Sequence, residues 1–183
     1  MNVTLTALPG VVVIEPEVYS DARGFFLESY HARRYQQQGL PPEFVQDNHS
    51  QSRHGTLRGL HAQVRRAQAK LVRVIEGEVF DVAVDIRLGS PTFGRWTGVC
   101  LSAVNRRQLF IPEGFAHGFA TTSPSAQVEY KCSRYYDPDD QLAIRWDDPE
   151  IGIEWPIRQP LLSPKDRDAP LLSQLRDRLP RFE

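Results

Sequence analysis

The chain lacks the features that assign a protein to a special physical class. It has no excess of either charge: 22 Lys and Arg stand against 23 Asp and Glu, a formal net charge of -1 over 183 residues. A general nucleic-acid binder needs a basic surplus, so that class is excluded. No apolar run approaches the roughly 20 residues that span a bilayer, so no membrane role is expected. The first fifteen residues hold no basic stretch followed by a long apolar core, so no signal peptide is expected and the expected location is the cytoplasm. Cysteine is scarce. Cys100 and Cys132 both lie in apolar runs and read as buried free thiols of a reducing compartment. Repeats, low-complexity stretches and linkers are missing too, so one domain over residues 1–183 is expected.

What is present is a succession of short extended segments. β-branched and aromatic runs predict strands over 11–14, 25–29, 70–75, 78–87, 96–101, 108–111 and 126–132, separated by Gly, Pro and Asp. Glu76-Gly77 is expected to form a tight hairpin. Two helices are expected, over 31–38 with Ser29 as cap and Gly39 as stop, and over 171–178 after Pro170. The pattern points to a mostly β, antiparallel barrel or jelly roll with a few short peripheral helices. Strand alternation puts Asp81 and Asp85 on one face of residues 79–85, and acids on an apolar strand suggest that this face lines a wet cavity. Tyr130 shares a face with Val128 and Cys132 and is expected to point inward. Alternation sends Arg58 and His61 to opposite faces, unless a bend at Gly59 or a pocket across the strand end joins them.

The densest polar region runs from residue 46 to residue 70. Arg65 and Arg66 read as solvated surface. Arg58 and Lys70 sit beside apolar strand residues, where an unpartnered cation is costly. They are therefore expected to face carboxylates or an anionic ligand. Residues 112–117 (PEGFAH) resemble the second sequence motif of cupins, and 59–61 (GLH) fall where the first would be. The metal-binding cupins place a second histidine one residue after the first, but here Ala62-Gln63 follows His61, so no metal is expected and a cupin oxygenase is disfavoured.

Further segments extend the likeness along the chain. They are 21–28 (DARGFFLE), 46–50 (QDNHS), 57–61 (LRGLH), 68–73 (QAKLVR), 80–87 (FDVAVDIR), 90–94 (SPTFG), 111–119 (IPEGFAHGF), 130–131 (YK), 135–136 (YY), 153–156 (IEWP) and 162–166 (LSPKD). In this order and spacing the sequence resembles the dTDP-4-dehydrorhamnose 3,5-epimerases. The resemblance implies a homodimeric, metal-free jelly-roll cupin acting on a dTDP-linked 4-keto-6-deoxy sugar without a cofactor. It implies His61 as the base, paired with Asp166, Tyr130 as the proton donor on the other face, and Lys70 beside the developing oxyanion. It implies Arg58 and His117, supported by Asp81, as sugar and diphosphate contacts. Arg23, Glu28, Gln46, Asp47, Asn48 and Lys165 are implied as nucleotide-site residues, some of them acting in the partner subunit's site. Bland alternatives stand beside several: Asp81 satisfying a backbone donor, Glu28 and Arg23 as an exposed pair, Asp47 capping a turn, Asp168 replacing Asp166.

Two positions depart from the family. Gln141 stands where a glutamate is usual, with Asp139 or Asp140 as replacements after a loop shift, and Ala62 stands where a bulky aromatic is frequent. Either change tunes which carbon is inverted, so a 3- or 5-mono-epimerase is the close alternative. A non-catalytic nucleotide-sugar-binding cupin is the alternative of another class.

Overall fold

The computed structural model describes residues 1–40 and 43–182. Strands dominate: β1 Asn2–Leu5, β2 Val12–Glu15, β3 Val18–Asp21, β4 Gly24–Leu27, β5 Gln46–Arg53, β6 Leu57–Gln63 and β7 Lys70–Glu76. They continue as β8 Glu78–Asp85, β9 Trp96–Ser102, β10 Gln108–Ile111, β11 Phe115–Thr121, β12 Ser125–Cys132 and β13 Gln141–Ala143. The helices are short: α1 Ala32–Gln36, α2 Pro164–Arg167 and a 3-10 helix at Leu172–Arg178. No helix among the described residues is long and apolar enough to cross a membrane.

Two antiparallel sheets carry the fold, one ordered β1-β2-β10-β7-β12-β5 and the other β13-β6-β11-β8-β9. Alternation on each strand sends one apolar set into the space between them. Val72, Val74, Leu109, Ile111, Ala126 and Val128 from the first sheet meet Val79, Ala83, Leu101, Phe115 and Phe119 from the second. The outer face of the second sheet is covered from the C-terminal region by Ile144, Ile151, Leu172, Leu175 and Leu179. The outer face of the first is covered by Tyr35 and Leu40 around α1.

Several expectations need correction. Glu76-Gly77 is not a hairpin: β7 and β8 belong to different sheets, and the chain crosses between them at Gly77, whose φ is +75°. Both strands present apolar residues to the interior, so local pattern alone does not separate a hairpin from a sheet-to-sheet corner. Cys132 is buried, but Cys100 is exposed because β9 is an edge strand, and both thiols are free. The expected helix at 31–38 contracts to α1, with no side-chain cap, although Gly39 does take a positive φ at its end. The C-terminal segment is helical but of the 3-10 kind.

Candidate active site

One end of the space between the sheets is polar. Inward positions of β6, β11, β7, β12 and β5 there hold His61, His117, Lys70, Tyr130 and Ser50 in place of the aliphatic side chains of the other end. They line a cavity of about 600 Å³ together with Arg53, Arg58, Tyr136, Gln141, Leu161, Leu162, Ser163, Lys165 and Asp166. An adjoining chamber of about 310 Å³ shares His61, Lys70, Tyr130, Tyr136 and Gln141 and adds Gln46, Asn48, Ala62, Gln63, Gln68 and Cys132.

A register shift brings Arg58 and His61 to the same wall. His61 pairs with His117 and Arg58 with Phe119, so two residues of β6 sit opposite the single Gly118 of β11. This bulge inverts the alternation between them. It requires glycine twice. Gly59 has φ +128°, and a Cβ there would lie 2.5 Å from the Gly118 Cα; one on Gly118 would lie 2.8 Å from the Arg58 carbonyl oxygen. The bend considered for Gly59 is thus present, with Gly118 as its counterpart.

The His61 Nε2 lies 2.6 Å from the Asp166 carboxylate. Asp166 comes from α2, where Ser163 caps the helix by accepting the Asp166 N–H at 3.1 Å. Burial alone would push the Asp166 carboxyl up. The His61 hydrogen bond and charge outweigh it, with help from Ser163 and the Gly59 N–H, and hold it below the usual carboxylate range. With Nε2 engaged, the imidazole is oriented and its other nitrogen is left to accept a proton. Asp168, weighed as a replacement, has no part in this pair; it is the exposed residue that closes α2.

His117 forms a second imidazole–carboxylate pair, its Nε2 3.0 Å from both Asp81 oxygens. Burial lowers its pKa, Asp81 opposes, and the charges of Lys70 and His61 lower it further. His117 is therefore a neutral donor near pH 7. Asp85 does not face the cavity: it is held at the strand end by Arg87, Ser90 and Thr92.

The cations are the distinctive feature. Arg58 donates to the Ser52 hydroxyl and the Gln51 carbonyl, not to a carboxylate. Lys70 makes no hydrogen bond or ion pair among the described residues and lies 6.0 Å from the Tyr130 ring centroid. Lys165 donates to Gln141 Oε1, which also accepts from the Tyr136 hydroxyl at 2.9 Å. Burial lowers the Lys70 pKa, opposed by Cys132 and Asp81, and burial raises that of Tyr130. Asp166 is the one carboxylate lining the cavity among the described residues, and His61 already occupies it. The lining therefore carries positive charge that no free carboxylate within it balances, an arrangement that favours an anionic ligand.

Other sequence candidates fall elsewhere within one chain. Gln46 and Asn48 face the adjoining chamber, bonded to each other at 3.0 Å. Asp47 lies on the opposite face of β5, in an ion pair with Lys131 at 2.9 Å. Arg23 sits on the exposed β3–β4 arm, paired with Asp21, and Glu28 pairs with Arg34. They do not form the mutual pair considered for them. Neither Asp139 nor Asp140 replaces the missing glutamate: Asp140 is buried and accepts the Arg65 and Arg66 backbone N–H groups, while Gln141 itself lines the cavity. The sequence assigned no role to Ser50, Arg53, Tyr136 or Ser163. The first two are lost in a polar stretch without apolar alternation, and the others lie on loops whose position depends on long-range docking.

The dTDP-4-dehydrorhamnose 3,5-epimerase family model matches residues 5–174. A dTDP-4-dehydrorhamnose 3,5-epimerase of Salmonella typhimurium is 57% identical over 177 residues, 95% of this chain and 97% of that protein. One of Neisseria gonorrhoeae is 54% identical over 91% of this chain, which spans about half that relative's length (51%). A crystal structure from Legionella pneumophila, of a dTDP-6-deoxy-D-glucose-3,5-epimerase in complex with dTDP-4-keto-L-rhamnose, superposes with a TM-score of 0.97 at 52% identity. It covers 100% of this chain and 98% of that one.

Proposed function

The chain belongs to the dTDP-4-dehydrorhamnose 3,5-epimerase family, and we propose that it inverts C3 and C5 of dTDP-4-dehydro-6-deoxyglucose to give dTDP-4-dehydro-L-rhamnose. The observation that carries this reading is one cavity holding an oriented His61–Asp166 pair, the Tyr130 phenol and an ammonium, Lys70, with no anion of its own.

The chemistry follows from the substrate. A C4 ketone acidifies the hydrogens on both neighbouring carbons. His61 takes one proton, and the C–H electron pair moves into the ring to place negative charge on O4. Lys70 faces that charge, which is larger in the transition state than in the ketone. Tyr130 returns a proton on the opposite face. One proton leaves and one arrives at each carbon, with no net oxidation, so the reading calls for no cofactor or metal. Arg58 and Lys165 take the diphosphate, and Gln46 and Asn48 the nucleotide in the adjoining chamber.

The same reading makes the two sheets a cupin jelly roll and the protein a cytoplasmic homodimer. The β3–β4 arm supports the dimer: Tyr19, Phe25 and Phe26 remain 57%, 57% and 68% exposed on it, an unusual apolar surface unless a second copy covers it. Arg23 and Glu28 on this arm would then serve the partner's cavity.

Proton NMR of the substrate in deuterated water tests the reaction. Deuterium at C3 and C5 with conversion to the inverted sugar is expected. Inversion at one carbon would make the protein a mono-epimerase, and binding without any exchange would make it a nucleotide-sugar-binding cupin. Tyr130→Phe is expected to cut product formation by about 10²-fold or more while exchange from the His61 face continues; unchanged turnover would remove Tyr130 from the mechanism.

The direction of the pH dependence follows from the buried groups. Lys70 sits below the ordinary lysine pKa and Tyr130 above the ordinary tyrosine value. As pH rises, loss of the Lys70 charge should therefore bring kcat down on an alkaline limb below pH ~10.4, the ordinary lysine value. Lys70→Arg keeps the charge at all such pH values, so its limb should move upward even though its maximal rate drops. A limb that stays in place in that variant would assign it to another group.

A further inference from the structure

Among the described residues, the β3–β4 arm joins neither main sheet: its two strands pair only with each other. A lone hairpin is marginal in water, so something outside it must fix how it lies. Register sorts its side chains into two faces. Val18 pairs with Leu27 and Ser20 with Phe25, so these four share one face, while Tyr19 pairs with Phe26 on the other. Val18 and Leu27 are half-buried, whereas Tyr19 and Phe26 are exposed. The Phe25 face is therefore the one turned to the body of the chain. Arg106 meets it there, from the β9–β10 turn, with its guanidinium carbon 4.1 Å from the Phe25 ring centroid. That turn is braced. Arg106 N–H donates to the Ser102 carbonyl at 2.9 Å, and the Asn105 side-chain oxygen accepts the Ser102 and Arg107 N–H groups at 3.1 and 3.0 Å. Arg106 has φ +55°, the one positive value at a non-glycine among the described residues. Glycine or asparagine holds that conformation at less cost, so the backbone does not call for arginine. The Arg106 Nε is buried without a hydrogen-bond partner, and the ring of Phe25 is what this side chain holds.

We infer that Arg106 is a positioning residue for the partner's site: by carrying the Phe25 ring it fixes which face of the arm, and with it the Arg23 turn, is offered to a second copy of the chain. This rests on the reading above, in which the arm reaches the partner's cavity. A cation over an aromatic face is attracted by the ring's quadrupole and needs no carboxylate or matched acceptor. The contact therefore holds Phe25 while leaving Arg23 and the Tyr19–Phe26 face unobstructed. Arg23 is fixed within the arm by Asp21 at 2.6 Å, so the direction of the arm decides where its guanidinium goes. The base of the arm is tied separately, by Glu28 to Arg34 at 3.0 Å. With Arg106 the hairpin has two anchors. Without it the hairpin pivots on one, and Arg23 no longer arrives at a fixed place.

The test compares the full-length wild type with Arg106→Ala, Arg106→Gly, Arg106→Lys, Phe25→Leu and the double variant Arg106→Ala/Phe25→Leu. Each is measured by sedimentation, thermal melting, dTDP binding and steady-state kinetics. Arg106→Ala should remain a dimer, weaken dTDP binding and raise KM by about three- to tenfold, the range of a cation–π contact, and leave kcat nearly unchanged. Arg106→Gly should lose as much affinity yet melt no lower than Arg106→Ala, because glycine takes the positive φ freely. A purely structural role would make affinity follow the melting temperature instead. Arg106→Lys should restore most of the loss. Phe25→Leu should reproduce it, and the double variant should add little. A dimeric Arg106→Ala protein with wild-type KM and dTDP affinity, or losses that simply add in the double variant, would overturn this inference alone. A wild type that sediments as a monomer would overturn the arm's role in the partner's cavity and this inference with it.

Discussion

His61→Ala is expected to lower epimerisation and deuterium exchange at both carbons by about 10²- to 10⁴-fold, with dTDP binding largely retained. Geometry singles this residue out. His61 has one ring nitrogen fixed, at 2.6 Å from Asp166, and among the described residues no partner engages the other. His117 carries a similar pair with Asp81, but its side chain is only 6% exposed against 27% for His61, so His61 is the imidazole more open to the cavity. The alanine variant also leaves Asp166, a buried carboxylate, without its main partner, which costs stability. His61→Asn keeps a donor toward Asp166 and separates the two effects: it should fold like the wild type and remain inactive. Exchange kinetics by NMR and a thermal melt on both variants decide the matter. Near wild-type exchange in either one would reject His61 as the base.

The second large effect lies in the backbone. Gly59→Ala is expected to destabilise the protein by about 3 kcal/mol or more, since the new Cβ would meet the Gly118 Cα at 2.5 Å and the His117 carbonyl at 2.8 Å, at a φ of +128°. For a chain of this length that is roughly 6–12 °C in Tm. The loss should exceed that of alanine at Gly24 or Gly39, which also have positive φ but where an added methyl would meet no neighbour within 4 Å. Any folded fraction should show a raised KM, because the bulge is what turns Arg58 to the same wall as His61. A melting temperature and KM matching the wild type would show that the bulge does not depend on glycine.

Much of this was legible in the sequence, and the reasons differ by element. Alternation placed Tyr130 inward because β12 is a regular strand, and the same rule failed for Arg58 and His61 because β6 carries a bulge. A bulge changes parity without changing composition, so only Gly59 hinted at it. Asp85 was grouped with Asp81 by parity, yet it sits where the strand ends and local partners capture it. The sheet change at Gly77 was read as a hairpin because turn residues report a reversal and not which sheet receives the next strand. The missing glutamate at Gln141 was visible, but its use as a bridge between Tyr136 and Lys165 depends on residues that meet only after folding. Arg23 and Glu28 need a second copy of the chain to take the roles the resemblance implies.

The His61–Asp166 pair joins side chains 105 positions apart. His61 belongs to a strand in the middle of a sheet, whereas Asp166 arrives on a single helical turn tied down by Leu161 against the β5–β6 turn. The sheet places the imidazole, and the docked later segment orients it. Competence for the proposed chemistry thus depends on docking of this later segment, which also carries Leu172, Leu175 and Leu179 onto the outer face of the second sheet.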